Sequence, residues 1–200
     1  MSQKIPELEY LIDILKSLPG VGHKNATKWA YFLLNQNSQY IDVFVNRLKN
    51  AHTRIKRCTQ CNNLSLTDVC NICSDHNRDH SQLCIVSTIE DLQRIEDSGN
   101  YTGLYFVLNG EVNPRFPDKP LESFIVLYNY VSMSNFKEVI IATNFTIGGQ
   151  ITAKKLLELL ETLPVKVYRI GFGLSLNSAL DYADDETIKY ALINKNYLKG

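Results

Sequence analysis

The stretch "LCIVSTIEDLQRIEDSGNYTGLYFVL", residues 83–108, decides the fold. "LCIVS" is an apolar run of strand length, "TIEDLQRIED" has helical spacing, and "LYFVL" is a second apolar strand. Strand, helix and strand at this spacing predict two parallel strands joined by a right-handed crossover. The alternation continues downstream. "LESFIVLYNYVS" (121–132) reads as a helix, "EVIIAT" (138–143) as a strand, "ITAKKLLELLETL" (151–163) as a helix and "VKVYRI" (165–170) as a strand. An α/β body with a mostly parallel sheet is expected over residues 80–176. In open α/β sheets, ligands gather past the carboxyl ends of the strands. After "EVIIAT" that position is expected to be a loop holding Asn144, Thr146, Gly148, Gly149 and Gln150, with no carboxylate among them.

Upstream of the body, "RCTQCNNLSLTDVCNIC" places Cys58, Cys61, Cys70 and Cys73 as two C-x-x-C knuckles across a short polar loop. Each knuckle sets two thiolates on one side of a tetrahedron, the geometry that Zn²⁺ favours. Four protein ligands leave no position for water, so the predicted zinc, one per chain, is structural. Two disulfides or a redox pair are the other readings, and a reducing compartment opposes the first. His76 and His80 are read as surface residues, and Cys84, inside "LCIVS", as buried core. A finger over residues 55–79 follows.

The first 54 residues are helical. "PELEYLIDILKSL" (6–18) spaces Leu8, Leu11, Ile12, Leu15 and Leu18 on one face, with Pro6 suited to a first turn. "PGVG" (19–22) breaks it, and "HKNATKWAYFLLNQ" resumes with Ala26, Ala30, Leu33 and Leu34 on one face. A third amphipathic segment runs from about Ser38 to Ile55. A turn with Gly20 and Gly22 can bare backbone N–H groups at the start of the second helix, where a phosphate is favoured. Lys24 and Lys28 share a face of that helix and could hold successive phosphates. The arrangement resembles the helix-hairpin-helix DNA-binding motif; an αα-hairpin with solvated lysines is the plainer reading.

Composition is that of an ordinary globular protein, with 44% apolar and 21% charged residues in a chain of 200. No apolar run is long enough to span a membrane, and the N-terminus lacks the apolar core of a signal peptide, so a cytosolic location is expected. The net charge of zero conceals an asymmetry. Residues 1–57 hold nine Lys/Arg against four acids, and no acid occurs between Val43 and Thr67. Such a split points to a polyanionic partner for the basic side. Arg54, Lys56 and Arg57 join the candidate DNA contacts on charge alone.

"LPGVGHKNA", the four-cysteine finger, "LCIVSTIEDLQRIEDSGNYTGLYFVLNG", "EVIIATN" and "VYRIGFG" occur in an order that resembles the RecR family of bacterial recombination mediators. The likeness covers nearly the whole chain, and "VCNIC" and "YTGLYFVLNG" are its most specific marks. The resemblance implies a Toprim domain for the α/β body and a non-enzymatic role in DNA repair. It also implies ring-like oligomers, here a tetramer, around single-stranded, duplex or gapped DNA near the nucleoid. RecO or RecF would be partners, and RecA would be loaded onto gaps coated by single-strand-binding protein. Residues 177–200, with Ile188, Tyr190, Leu192, Ile193, Tyr197 and Leu198, would form an arm exchanged between protomers, and the helical part a second interface.

Toprim enzymes hold Mg²⁺ on a glutamate after the first strand and an Asp-x-Asp pair after a later one. This chain has Ser87-Thr88 and Asn144-Phe145-Thr146 there, with Glu90 and Asp91 falling in the next helix. The metal cradle is therefore expected to be absent, and with it catalysis. RecR proteins commonly keep that first glutamate, and tend to carry acids where Gly148 and Gln150 stand. Phe172, Ser175, Asn177 and Ser178 stand where the family usually has a His, a Pro and a glycine-rich turn. Acidic Toprim edges would suit a basic partner such as RecO, so these losses bear on that contact. "GFG" (171–173) lacks the Lys-Ser/Thr of a phosphate loop and reads as a strand-to-loop turn. Two alternatives stay open: a Toprim-type nuclease or primase with a displaced metal site, and a scaffold that meets DNA only through partners.

Overall fold

A computed structural model describes residues 5–171, 181 and 183–193. It divides into an N-terminal unit ending at Ile55 and a second unit beginning at Lys56. Among the described residues, no helix is long and apolar enough to cross a membrane.

The N-terminal unit holds three helices: α1 (Pro6–Lys16), α2 (His23–Leu34) and α3 (Ser38–Arg54). Pro6 sits in the first turn of α1, where a missing N–H costs nothing, and Lys16 lies in the last turn, where the helix dipole favours a cation. Ile12 packs on Ala26 and Ala30, with Leu8, Leu11, Leu15 and Val21 half-buried around them. The two alanines have no exposed surface, so small side chains let α1 and α2 approach closely. Leu18 and Leu34, expected on the inner faces, are exposed at 47% and 60%. Leu18 falls in the turn past the end of α1, and Leu34 is the last residue of α2. Asn37 caps α3 by accepting from the Tyr40 N–H at 2.8 Å. No described residue of α3 is buried.

The second unit opens with a small antiparallel pair, β1 (Lys56–Arg57) and β2 (Leu64–Ser65), and one helical turn, α4 (Asn71–Ser74). Then come β3 (Asp79–Val86), α5 (Ile89–Asp97), β4 (Gly103–Val107), α6 (Ser123–Ser132), β5 (Glu138–Ala142), α7 (Ile147–Leu160) and β6 (Lys166–Arg169). The four long strands form one sheet in the order β4-β3-β5-β6, and every pairing is parallel. The expected mostly parallel α/β body is present. Alternate strand residues serve opposite faces. Leu83, Ile85, Leu104, Phe106, Val139 and Ile141 pack against Leu127 of α6 and Leu156 and Leu160 of α7. Cys84, Val86, Tyr105 and Val107 face Leu92 of α5. Thr88 caps α5 in a capping box with Asp91, the reason this helix starts where it does.

The finger is seated on this body. The Val107 N–H donates to the Cys61 carbonyl at 2.8 Å, and Asn62 Nδ2 donates to the Val107 carbonyl at 3.2 Å. Ile72 of α4 packs against the cysteine cluster and both faces of the sheet. One expectation fails here: Gly148, Gly149 and Gln150 are not loop but the first turn of α7, capped by Thr146. The last helix among the described residues, α8 (Asp185–Ile193), takes up part of the predicted arm, with Leu192 and Ile193 exposed. Phe172, Ser175, Asn177, Ser178, Tyr197 and Leu198 lie outside the described residues.

Leu156 is fully buried between α7 and the sheet. Leu156→Ala should lower stability by about 2–5 kcal/mol, seen as a lower urea midpoint with an unchanged slope.

Candidate functional site

The first candidate site is the turn between α1 and α2. Gly20 adopts φ +75°, a left-handed conformation that a side chain would strain. Gly22 is the N-cap of α2 with ordinary extended backbone and no side-chain cap, and a Cβ on it would meet nothing within 4 Å. Only Gly20 therefore requires glycine for its backbone; at Gly22 the missing side chain leaves the helix end uncovered. The N–H groups of Val21, Asn25 and Ala26 bond to carbonyls of the turn. Those of Gly22, His23 and Lys24 have no such acceptor in the turn, as geometry requires at a helix start. Lys24 and Lys28 project from the same exposed face one turn apart. The turn thus brings together Gly20, Gly22, Lys24 and Lys28. Arg54 ends α3, whereas Lys56 belongs to the second unit and pairs with Asp68 at 2.6 Å. Arg57 Nη1 donates to the Asn62 carbonyl at 3.0 Å and so braces the first knuckle.

The second candidate site is the cysteine cluster. The four sulfurs of Cys58, Cys61, Cys70 and Cys73 lie within 4.8 Å of one another, and all four residues are buried. Four sulfurs about 2.3 Å from one ion would stand roughly 3.8 Å apart, so the set fits a tetrahedral site; Cys61 and Cys70 are 3.6 Å apart. Asn62 takes φ +62° to close the first knuckle, and its N–H bonds back to the Cys58 carbonyl at 3.0 Å. The Cys70 N–H donates to Cys58 Sγ at 3.3 Å and ties the two knuckles together. Hydrogen bonding among the sulfurs holds the Cys70 thiol far below its ordinary value and pushes those of Cys61 and Cys73 far above theirs, the proton sharing expected of thiols packed this close. His76 and His80 are exposed and stand outside the cluster, and Cys84 is buried in β3.

The third candidate site lies at the carboxyl end of the sheet, where the loop after β5 brings no acid of its own. A carboxylate does stand there: Glu111, from the loop after β4. Its Oε1 accepts from Ser87 Oγ at 2.8 Å and from both the backbone N–H and Nδ2 of Asn144 at 3.0 Å. Its Oε2 accepts from Thr146 Oγ1 at 2.9 Å. Ser87 and Asn144, read from sequence as positions that had lost their acids, thus both turn toward an acid from a third loop. Desolvation pushes the Glu111 carboxyl up, but the bonds from Ser87, Thr146 and Asn144 together outweigh it and leave the group below its ordinary value. On the other side of the loop, Arg169 donates to Thr143 Oγ1 and the Thr143 carbonyl, both at 2.7 Å, and stacks over Phe145 at 4.7 Å. Gly149 is required by crowding, since a Cβ there would lie 2.0 Å from the Asn144 carbonyl oxygen and 2.8 Å from Glu111 Oε1. The position of Glu111, three residues past "LYFVL", could have marked it by the rule about strand ends, but its partners Ser87 and Asn144 are too distant in the chain to be read from it.

The profile of the family described as "Toprim domain" matches residues 81–171, and that described as "RecR, helix-hairpin-helix" matches residues 8–52. Proteins named "Recombination protein RecR" are similar along nearly the full length. That of Ureaplasma urealyticum is 48% identical over 196 residues, 96% of this chain and 97% of its own. That of Endomicrobium trichonymphae is 37% identical over 189 residues, 94% of this chain and 96% of its own. That of Francisella tularensis strain SCHU S4 is 36% identical over 194 residues, 96% of each.

Because the Glu111 carboxyl is held below its ordinary value, its stabilising effect is present above the carboxylate range and lost as pH falls through the folded-state value. Glu111→Gln should be less stable than the wild type by about 1–2 kcal/mol at neutral pH. In thermal melts the gap should narrow on acidification; a gap that does not vary with pH contradicts this account.

Proposed function

The chain belongs to the RecR family of recombination proteins, and from that premise we propose that it is a DNA-binding recombination mediator with no catalytic activity of its own. The observation that carries this reading is the hairpin turn. Uncovered N–H groups at the head of α2 and two exposed lysines one turn apart suit successive phosphates of a nucleic-acid strand. Contacts of this kind ignore base sequence and weaken steeply with salt. In this division of labour, residues 1–54 grip DNA through Gly20, Gly22, Lys24 and Lys28, with Arg54 adding charge. Lys56, paired with Asp68, contributes less.

Residues 55–79 form the finger, with structural zinc held by Cys58, Cys61, Cys70 and Cys73. A buried set of four thiolates suits a soft d¹⁰ ion that needs no open coordination position.

Residues 80–176 are the Toprim body, which assembles and recruits rather than cuts. Its non-catalytic role is supported by the Glu111 cluster. A hard cation needs several oxygen ligands, and here both oxygens of the carboxylate are occupied by neutral donors. By membership of the family, the chain would close into a ring-like homotetramer around DNA, with residues 177–200 as the exchanged arm. It would act with RecO or RecF to load RecA onto gapped single-stranded DNA. The exposed apolar side chains of α3, among them Val43, Phe44 and Leu48, suit a second self-contact.

Binding of pure protein to gapped oligonucleotides across a salt series tests the reading. The double substitution of Lys24 and Lys28 by Ala should remove most affinity and lower the salt slope by about 1–2, with molecular mass unchanged. Undiminished affinity, or magnesium-dependent cleavage of a plasmid, sinks it. Metal analysis should return one zinc per chain, and Cys70→Ser should lose both metal and cooperative folding.

A further inference from the structure

α2 carries more than lysines on its outer face. Its inner face is fixed by Ala26 and Ala30, both fully buried. At roughly 3.6 residues per turn, the line opposite them runs through Lys24, Lys28 and Tyr31, which fall within about 60° of one another. Tyr31 is 53% exposed, although an aromatic ring of that size would ordinarily be sheltered. Phe32 is equally exposed and lies on the other side of Lys28, but its ring is engaged by α3. Phe32 meets Tyr40 of α3 edge-on at 6.2 Å, and Trp29 projects about 100° round the helix from Lys28. No acid interrupts the face, since α2 contains no Asp or Glu.

We propose that Tyr31 is a base-stacking platform in line with the two lysines, and that it gives the hairpin a preference for single strands over duplex. The inference rests on the reading that Lys24 and Lys28 hold phosphates. A strand whose phosphate is held at Lys28 passes Tyr31 about 4.5 Å further along the helix axis. An unpaired base there can lay its face on the ring. In a duplex every base face is already stacked, and only edges and backbone are offered. The lysines supply affinity that is indifferent to strand number; the tyrosine supplies the discrimination.

Anisotropy measurements on the full-length protein separate these roles, using an oligo-dT, an abasic oligonucleotide of equal length and a duplex. The wild type should bind oligo-dT more tightly than the abasic strand. Tyr31→Ala should weaken oligo-dT binding roughly tenfold, the effect of losing about one stacked base. It should leave the abasic and duplex affinities, the salt slope and the oligomeric mass unchanged, and Tyr31→Phe should behave as wild type. Equal loss on all three ligands, no loss on any, or a changed mass would overturn the proposal. If the double lysine variant loses all binding while Tyr31→Ala keeps the single-strand preference, the stacking role alone falls. If that lysine variant binds normally, the phosphate reading falls and takes the stacking role with it.

Discussion

Three loops at the carboxyl end of a parallel sheet converge on one carboxylate, and the geometry of that end follows from it. Parallel strands all deliver their chains to the same edge, where the loops must be tied together without exposing unpaired donors. In metal-dependent members of such folds a cation can do this by gathering carboxylates. Here the charge is inverted: one anion, Glu111, gathers a hydroxyl from the end of β3 and an amide and a hydroxyl from the loop after β5. The glycine pair at the head of α7 is the steric counterpart, because any side chain at Gly149 would drive the loop off the carboxylate. Arg169 holds the same loop from β6.

That arrangement separates the labours of the two units. The second unit spends its polar groups on itself, in the Glu111 cluster, the Arg169 bonds and the Arg78–Glu96 ion pair. The N-terminal unit does the opposite. It buries only a thin seam around Ile12 and leaves lysines, uncovered amides and large aromatic rings to solvent. A unit with so little core of its own is suited to contact something else along much of its surface.

The order of elements was readable because their periodicities are unambiguous: the apolar runs of β3 and β4, the capping Thr88 and the 3.6-residue spacing of α1 are all local signals. Sequence reasoning failed where the deciding contact was distant. Glu111 lies 24 residues from Ser87 and 33 from Asn144, and nothing near it in the chain announces that they meet. Gly148 and Gly149 read as loop because glycine is a poor helix former, yet crowding against Asn144 and Glu111 outweighs propensity. Leu18 and Leu34 continue a helical pattern past the point where a partner helix remains to receive them. The cysteines were the easiest part, since ligand spacing within each knuckle is a short-range constraint, as the clustered sulfurs bear out.

The seam between the Cys61–Asn62 knuckle and Val107 has a consequence for solubility. β4 is an outer strand of the sheet, and its far end finds its hydrogen-bond partners in the knuckle. A bare strand margin rich in Leu, Tyr, Phe and Val is a template for intermolecular pairing. Oxidation of the thiols would loosen the knuckle and free the Val107 end of β4, so oxidative damage to the finger would favour self-association through that strand end.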